Sequence, residues 1–207
     1  MTDDDPIRMT IVYYSSTGKT HTVAKSVAEG AEEIGAEVRL RRVAELASEE
    51  AIDANPAWRA HIEATRDVPE VSHADLEWAE AFAFGTPTRF GLPAAQLKQF
   101  IDTCGGLWMN GHLVNKTVSA FTGAGNLHGG QEATLLALNN VFYHWGAVLV
   151  PPGYTHPAFH AAGGNPYGTS FTDKGAEPLT EETLAAARQQ GARTARWARA
   201  SRAVRAT

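Results

Sequence analysis

Apolar residues along the chain fall in short runs that alternate with longer amphipathic stretches. Thr10-Ile11-Val12-Tyr13-Tyr14 is nearly all apolar, and a first strand is expected near residues 8–14. Over residues 19–34, Val23, Val27, Ala31 and Ile34 recur on one face, which predicts a helix. Glu37-Val38-Arg39-Leu40-Arg41 alternates charged with apolar positions, so a second strand is expected at a sheet edge with one wet face. Residues 82–85, 118–121 and 147–150 are three further apolar runs, read as strands covered on both faces. Between them, a helix is expected to begin at Pro93, a favoured first-turn residue, with Leu97, Phe100, Ile101 and Cys104 at helical spacing. Another is expected over residues 130–145. A last helix is expected after a Thr180 cap, running past Arg199.

Strands alternating with helices argue for a parallel α/β sheet with helices on both faces. Five strands with this edge and core character fit a flavodoxin-like sheet of order 2-1-3-4-5. The whole chain, residues 1–207, is read as one such domain with a core over about 9–200. Two stretches exceed the minimal five-strand plan. Residues 43–77 are too long for a plain connection and are expected to hold a short helix. Residues 151–179 are rich in Pro and Gly without periodicity.

The polar run after the first strand changes the picture from fold to chemistry. Ser15-Ser16-Thr17-Gly18-Lys19-Thr20 lies at a strand–loop–helix junction, where unpaired backbone N–H groups and the helix dipole favour an anion. Its hydroxyls point to a phosphate. Gly18-Lys19-Thr20 matches the tail of a nucleoside-triphosphate loop, G-x-x-x-x-G-K-[ST]. That motif needs Gly where this chain has Tyr13, and Ala81-Phe82-Ala83-Phe84 lacks the Asp that would hold Mg²⁺. The pattern [ST]-x-T-G-x-T is met by Ser15, Thr17, Gly18 and Thr20, and resembles the flavodoxin loop for the FMN 5′-phosphate. A plain helix N-cap rich in Ser and Thr is the bland alternative.

Ligands bind at the carboxyl ends of strands in open α/β sheets, so the loops after strands one, three and four should form one site. The loop after strand three is Gly85-Thr86-Pro87-Thr88-Arg89-Phe90-Gly91. Thr88 and Arg89 offer donors and Phe90 an apolar face. The loop after strand four, Thr122-Gly123-Ala124-Gly125-Asn126-Leu127-His128-Gly129-Gly130, lets a flat ring approach its backbone. Neither holds metal-ligand spacing or a nucleophile with its base. A phosphate at the first loop and a planar ring between the other two describe a flavin mononucleotide site.

These loops, with Gly105-Gly106-Leu107-Trp108, Gly129-Gly130-Gln131-Glu132, Val150-Pro151, Gly153-Tyr154 and Asn165-Pro166-Tyr167-Gly168, resemble the WrbA family of flavodoxin-like NAD(P)H:quinone oxidoreductases. The resemblance covers about residues 9–197. It implies that Ser15, Ser16, Thr17, Gly18, Lys19 and Thr20 hold the FMN phosphate. Pro87, Thr88, Arg89, Phe90 and Gly91 would line the isoalloxazine. Thr122, Gly123, Ala124, Gly125, Asn126 and His128 would close its other side. His144 falls where the family has a flavin-contacting histidine, and Trp108 where it has an aromatic wall over the substrate. It also implies FMN as cofactor, NADH or NADPH as reductant, a quinone as substrate, ping-pong kinetics on one shared face, and a homo-oligomer, typically a tetramer. No side-chain nucleophile is required. Thr17 departs from an aromatic residue that touches the nicotinamide in many members. Lys19 stands where some have His, and the loop after strand four is one residue longer. An electron-carrying flavodoxin and a non-catalytic FMN-binding interaction protein remain as alternatives.

Composition narrows the partners. Apolar residues make up 43%, enough for a sizeable core, and the net charge of −5 is spread along the chain, so neither nucleic acid nor an anionic membrane is expected. No apolar run approaches a membrane span. A single cysteine fits a reducing cytoplasm, and Cys104 on its apolar stripe reads as inert core. Met1-Thr2-Asp3-Asp4-Asp5 is expected to be a solvated, frayed end rather than a signal peptide. The row Arg193, Arg196, Arg199, Arg202 and Arg205 reads as a solvated face. Pro157 argues against a helix joining His156 to His160, and no metal site is expected there.

Overall fold

The structure, a computed structural model, describes residues 5–205. The first half comprises β1 (Arg8–Tyr13), α1 (Lys19–Glu32), β2 (Glu37–Arg42), α2 (Glu49–Asp53), α3 (Pro56–Ala64), α4 (His73–Trp78) and β3 (Ala81–Arg89). Next come β4 (Leu92–Pro93), α5 (Ala95–Thr103), α6 (Gly105–Met109), β5 (Thr117–Ala124) and α7 (Gln131–His144). The rest is β6 (Val148–Leu149), α8 (Pro157–Ala161), β7 (Ser170–Thr172), α9 (Glu181–Ala200) and α10 (Arg202–Arg205). The central parallel strands run β2-β1-β3-β5-β6, which is the expected flavodoxin-like order with the extra elements renumbered. Two apolar clusters cover the two faces. One centres on Phe82, Phe84, Phe142 and Trp145, the other on Met9, Ile11, Tyr13 and Phe121.

The structure departs from the expected elements in ways that shape the site. The third strand does not stop at Gly85. It stays extended to Arg89 and turns back through Phe90 and Gly91 into β4, with Arg89 opposite Leu92 and Thr88 opposite Pro93. Both turn residues have positive φ, 54° and 80°, the signature of a two-residue hairpin turn of the primed type. Pro93 is therefore a hairpin residue, and the helix expected from it begins at Ala95. The fifth strand shrinks to Val148–Leu149, and β7 takes over its place: β6 pairs with Thr117 and Val118, β7 with Thr122 to Ala124. The 151–179 stretch is thus an insertion within one strand position. It also carries α8, where Pro157 sits in the first turn, His156 is the N-cap and His160 lies in the last turn, so a short helix does join the two histidines. The 43–77 stretch holds three helices rather than one, started by caps at Ser48, Asn55 and Ser72.

The C-terminal arginine row is not wholly solvated. Arg202 is buried and donates from Nε and Nη2 to both Glu80 carboxylate oxygens at 2.9 and 3.0 Å, and from Nη1 to the Asp5 carbonyl. Arg193 donates to the Pro151 carbonyl, whereas Arg196 and Arg199 are exposed. Residues 1–4 of the acidic end and the side chain of Arg205 lie outside the described residues.

α1 and α9 cross at glycines. A Cβ at Gly30 would lie 1.9 Å from the Arg188 carbonyl oxygen, and one at Gly191 would lie 1.9 Å from that of Val27. Backbone then packs on backbone, which brings α9 down onto the helix that carries the phosphate loop. Gly191→Ala should destabilise the fold by ~1–3 kcal/mol through overpacking. Gly105→Ala, where a Cβ meets nothing within 4 Å, should leave stability unchanged or slightly raised. Urea unfolding of the two variants is the check.

Candidate flavin-binding site

The parallel strands β1, β3 and β5 lie side by side, and β3 and β5 run on past the end of β1. Tyr13 pairs with Gly85 and Gly85 with Phe121, and the Tyr14 N–H donates to the Gly85 carbonyl at 3.0 Å. From Ser15 the chain turns into α1. Gly18, at φ 97°, is the N-cap, a conformation that disfavours a side chain. Its N–H donates to the Ser15 hydroxyl at 3.0 Å, while the first-turn amides of α1 have no intrahelical partner by construction.

These ends line one open cleft. Ser15, Ser16, Thr17, Lys19, Thr20, Pro87, Thr88, Arg89, Gly123, Ala124 and Gly125 line it, as the sequence grouped them. Phe171 and Asp173, from β7 and the turn after it, also line it and were not foreseen. Their stretch has no periodicity to mark it, and only the long-range pairing of β7 with β5 brings them in. Lys19 Nζ is tied to the Glu177 carbonyl and Arg89 Nη1 to the Thr88 carbonyl at 3.1 Å, so both cations are held near the cleft.

Other named residues stand elsewhere. Phe90 projects from the hairpin tip, fully exposed. Gly91 completes that turn and abuts Gly130, where a Cβ would lie 2.9 Å from the Gly91 Cα. Thr122 is buried and donates to the Thr86 carbonyl at 2.7 Å, joining β5 to β3 rather than facing the cleft. The Asn126 carbonyl accepts from Gln131 Nε2, which pins the loop, and His128 is exposed on it. Trp108 and His144 do not reach the cleft within one chain. They line a separate hollow with Ile101, Cys104, Val141 and Trp145, and Trp108 Nε1 donates to the His144 carbonyl at 2.8 Å. Cys104 there is buried, and burial pushes its thiol up to about 11, so the reactive thiolate is disfavoured. Among the described residues no group of His, Cys, Asp and Glu could hold a metal ion.

Behind the phosphate loop the 43–77 insertion supplies a second layer that the sequence did not reveal. Glu45 accepts from the Tyr14 hydroxyl, Trp58 Nε1 and Gln96 Nε2 at 2.9, 3.1 and 2.7 Å. Burial would raise its pKa, but hydrogen bonds from Gln96, Ala47, Tyr14 and Leu46 outweigh that and hold it low. His21, in the first turn of α1, hydrogen-bonds the Tyr13 hydroxyl at 2.6 Å.

The donor set fits a phosphate-bearing flat ring. The hydroxyls of Ser15, Ser16, Thr17 and Thr20 line the cleft beside the N-terminus of α1, and Pro87, Thr88, Arg89 and the small residues Gly123, Ala124 and Gly125 line it as well. At Gly125 a Cβ would meet nothing within 4 Å, so that edge is open to a ligand.

The profile of the NADPH-dependent FMN reductase family matches residues 9–161. The chain belongs to that family. Within the FMN reductase family, its relatives agree with the WrbA resemblance. It is 53% identical over 185 residues to a protein of Deinococcus radiodurans named NAD(P)H dehydrogenase (quinone), covering 89% of this chain and 92% of that one. A protein of the same name from Geotalea daltonii is 40% identical, over 89% of this chain and 93% of its own length. Among solved structures, a WrbA-like flavodoxin from Agrobacterium tumefaciens aligns with a TM-score of 0.69 and 27% identity, over 95% of this chain and 99% of that one. An archaeal flavodoxin, 17% identical over 93% of this chain and 99% of its own, shares the fold at a TM-score of 0.61.

Burial, followed by the neighbouring His61 and Lys25, lowers the His21 pKa from 6.5 to about 4. The unfolded chain then takes up a proton that the folded chain refuses between those values. His21 therefore contributes full stability above its unfolded pKa, and that contribution is lost as pH falls from 6.5 toward 4. Thermal melts should show a drop in Tm between pH 6.5 and about 4 that is smaller in His21→Gln.

Proposed function

We propose that this protein is an FMN-dependent NAD(P)H:quinone oxidoreductase, with the FMN held in the cleft at the ends of β1, β3 and β5. The observation that carries the reading is the convergence of the Ser15–Thr20 loop, Thr88–Arg89 and Gly123–Gly125 on that one cleft. The names of the two relatives above support the reductant and the quinone. When bound, FMN supplies the redox chemistry, taking a hydride from the nicotinamide and delivering two electrons to the quinone.

The chain's own residues bind and orient. The hydroxyls of Ser15, Ser16, Thr17 and Thr20 and the first-turn amides of α1 hold the phosphate without metal. Arg89, fixed at the end of β3 by the hairpin, stands at the ring end of the cleft, where a cation stabilises negative charge. The β5 edge, kept free of side chains at Gly123 and Gly125, admits the flat ring. Gly123 has its own reason: a Cβ there would lie 2.1 Å from the Phe171 ring. Reductant and quinone sharing the open face would give ping-pong kinetics.

The reading extends to assembly and place. Trp108, Met109, Leu136 and Tyr143 are apolar and exposed on the neighbouring faces of α6 and α7, which suits a homo-oligomer, with a tetramer as the expected size. Among the described residues no helix is long and apolar enough to cross a membrane. A cytoplasmic enzyme acting as one domain completes the proposal.

Stopped-flow mixing of the FMN-loaded protein with NADH or NADPH should bleach the flavin, and benzoquinone should restore its colour rapidly. Failure to bind FMN saturably, or no bleaching by either nucleotide, would overturn the assignment. Thr20 lines the cleft while only 2% exposed. Thr20→Val removes its hydroxyl at nearly constant shape and should weaken FMN roughly tenfold, the worth of one hydrogen bond to a charged group. Riboflavin, which lacks the phosphate, should bind Thr20→Val and wild type alike.

A further inference from the structure

Asp173 sets a carboxylate in the wall of a cleft whose other groups suit an anion. Its N–H donates to the Ala124 carbonyl at 2.7 Å, which carries the pairing of β7 with β5 one step past Thr172. Side chains alternate along a strand, so Asp173 shares the face of Phe171. Phe171 belongs to the apolar cluster that holds Val23, Ala24 and Val27 of α1. The carboxylate therefore stands on the α1 side of the sheet, in the cleft that the Ser15–Thr20 turn also lines.

This support is held on both sides. Ahead of it, Phe171 is buried; behind it, the Gly175 N–H donates to Asp173 Oδ1 at 2.9 Å and the Glu177 carbonyl accepts from Lys19. Among the described residues, Asp173 Oδ2 accepts no hydrogen bond, and no cation stands at ion-pairing distance from the carboxylate. Lys19, a cation of the same cleft, is engaged by the Glu177 carbonyl instead. An ionised carboxylate only accepts hydrogen bonds. A flavin phosphate offers it no proton and repels it, and the ring carbonyls are acceptors too. The donors of FMN are the three hydroxyls of the ribityl chain, between phosphate and ring, and the single N–H of the ring. A carboxylate on the α1 side, where the phosphate turn lies, suits the hydroxyls.

We propose that Asp173 is a specificity-determining residue for the cofactor's sugar-alcohol chain, its open carboxylate oxygen accepting a hydrogen bond from a ribityl hydroxyl. The proposal rests on the FMN reading above. It gives the 151–179 insertion a part in choosing the cofactor, and it accounts for a negative charge in an anion-binding cleft: one charge-assisted O–H···O⁻ bond offsets the repulsion of the phosphate.

The test compares dissociation constants of FMN and its 2′,3′,4′-trideoxy analogue, measured by flavin fluorescence on the purified full chain. The analogue keeps ring and phosphate and replaces the ribityl chain with a plain pentyl chain. Asp173→Ala should weaken FMN roughly tenfold, about the worth of one hydrogen bond to a charged group. It should not weaken the analogue. Asp173→Asn keeps an oxygen for the Gly175 N–H and loses the charge, so its FMN-to-analogue preference should fall between those of wild type and Asp173→Ala. That variant also carries the test should the alanine variant fold poorly. A wild-type preference in either folded variant would overturn the proposal. Equal tightening of both ligands would overturn it too, since the carboxylate would then only repel the phosphate. Equal weakening of both would do the same, by reducing Asp173 to a support for its own loop. If wild type binds FMN without saturation, the FMN reading fails instead.

Discussion

The cleft depends on one close approach in the sheet, that of the Phe121 ring to Gly85. A Cβ at Gly85 would lie 2.1 Å from that ring. Only glycine lets β5 carry a large aromatic side chain against β3 while the strands stay in register. That register aligns Tyr13, Gly85 and Phe121 across the sheet. Past this line β1 gives way to the Ser15–Thr20 loop, while β3 runs on into the hairpin and β5 into its small-residue end. A larger residue at position 85 would move either the ring or the strand, and the three segments would lose their common reference. The phenylalanine covers backbone that glycine leaves bare.

The two insertions supply what the minimal sheet lacks. The later one enters the sheet as β7, extends β5 to Ala124 and sets Phe171 and Asp173 in the cleft wall. The earlier one covers the outer side of the phosphate turn with α3 and the Glu45 hub. The later one packs through α8 on α9, and α9 can lie on α1 only because Gly30 and Gly191 allow backbone contact. Placing α1 is what places the first-turn amides, so a helix far along the chain takes part in the geometry of the anion site.

How much of this was legible follows from the range of the interactions. Strand runs, helix periodicity and the polar turn after β1 are local patterns, and from them follow the sheet order and the meeting of the loops after β1, β3 and β5 at one cleft. The Thr180 cap did as well, since its side chain accepts from the Thr183 amide as a capping residue should. The three caps at Ser48, Asn55 and Ser72 are equally local, so the helices of the 43–77 stretch were readable and were under-read. Pro157 was misread because a proline that breaks a helix interior also starts a helix. β7 is different in kind. Three residues have no period to detect, and the strand exists only because β5 offers an open edge there. Arg202 likewise looks like one of five surface arginines until α10 swings it onto Glu80. Trp108 and His144 were grouped with the flavin by family resemblance, yet in a single chain they face another hollow.

Phe90 shows where stability and site geometry conflict. Its φ of 54° is one that a non-glycine residue adopts at a cost, and its ring is fully exposed, so it gains nothing from burial. Asn or Gly at this turn position would relieve the strain, as primed hairpin turns prefer. The tension is not shared by the rest of the hairpin. Gly91 carries the other positive φ at no steric penalty, and Thr86 secures the base by accepting from the Ala94 amide at 2.9 Å. The strain is therefore confined to one residue on a firmly held support, beside Arg89 at the ring end of the cleft. An aromatic side chain held in water on such a support is suited to meeting another flat or apolar surface. It contributes nothing to the core, and the two-residue turn that carries it keeps Arg89 from retreating from the cleft.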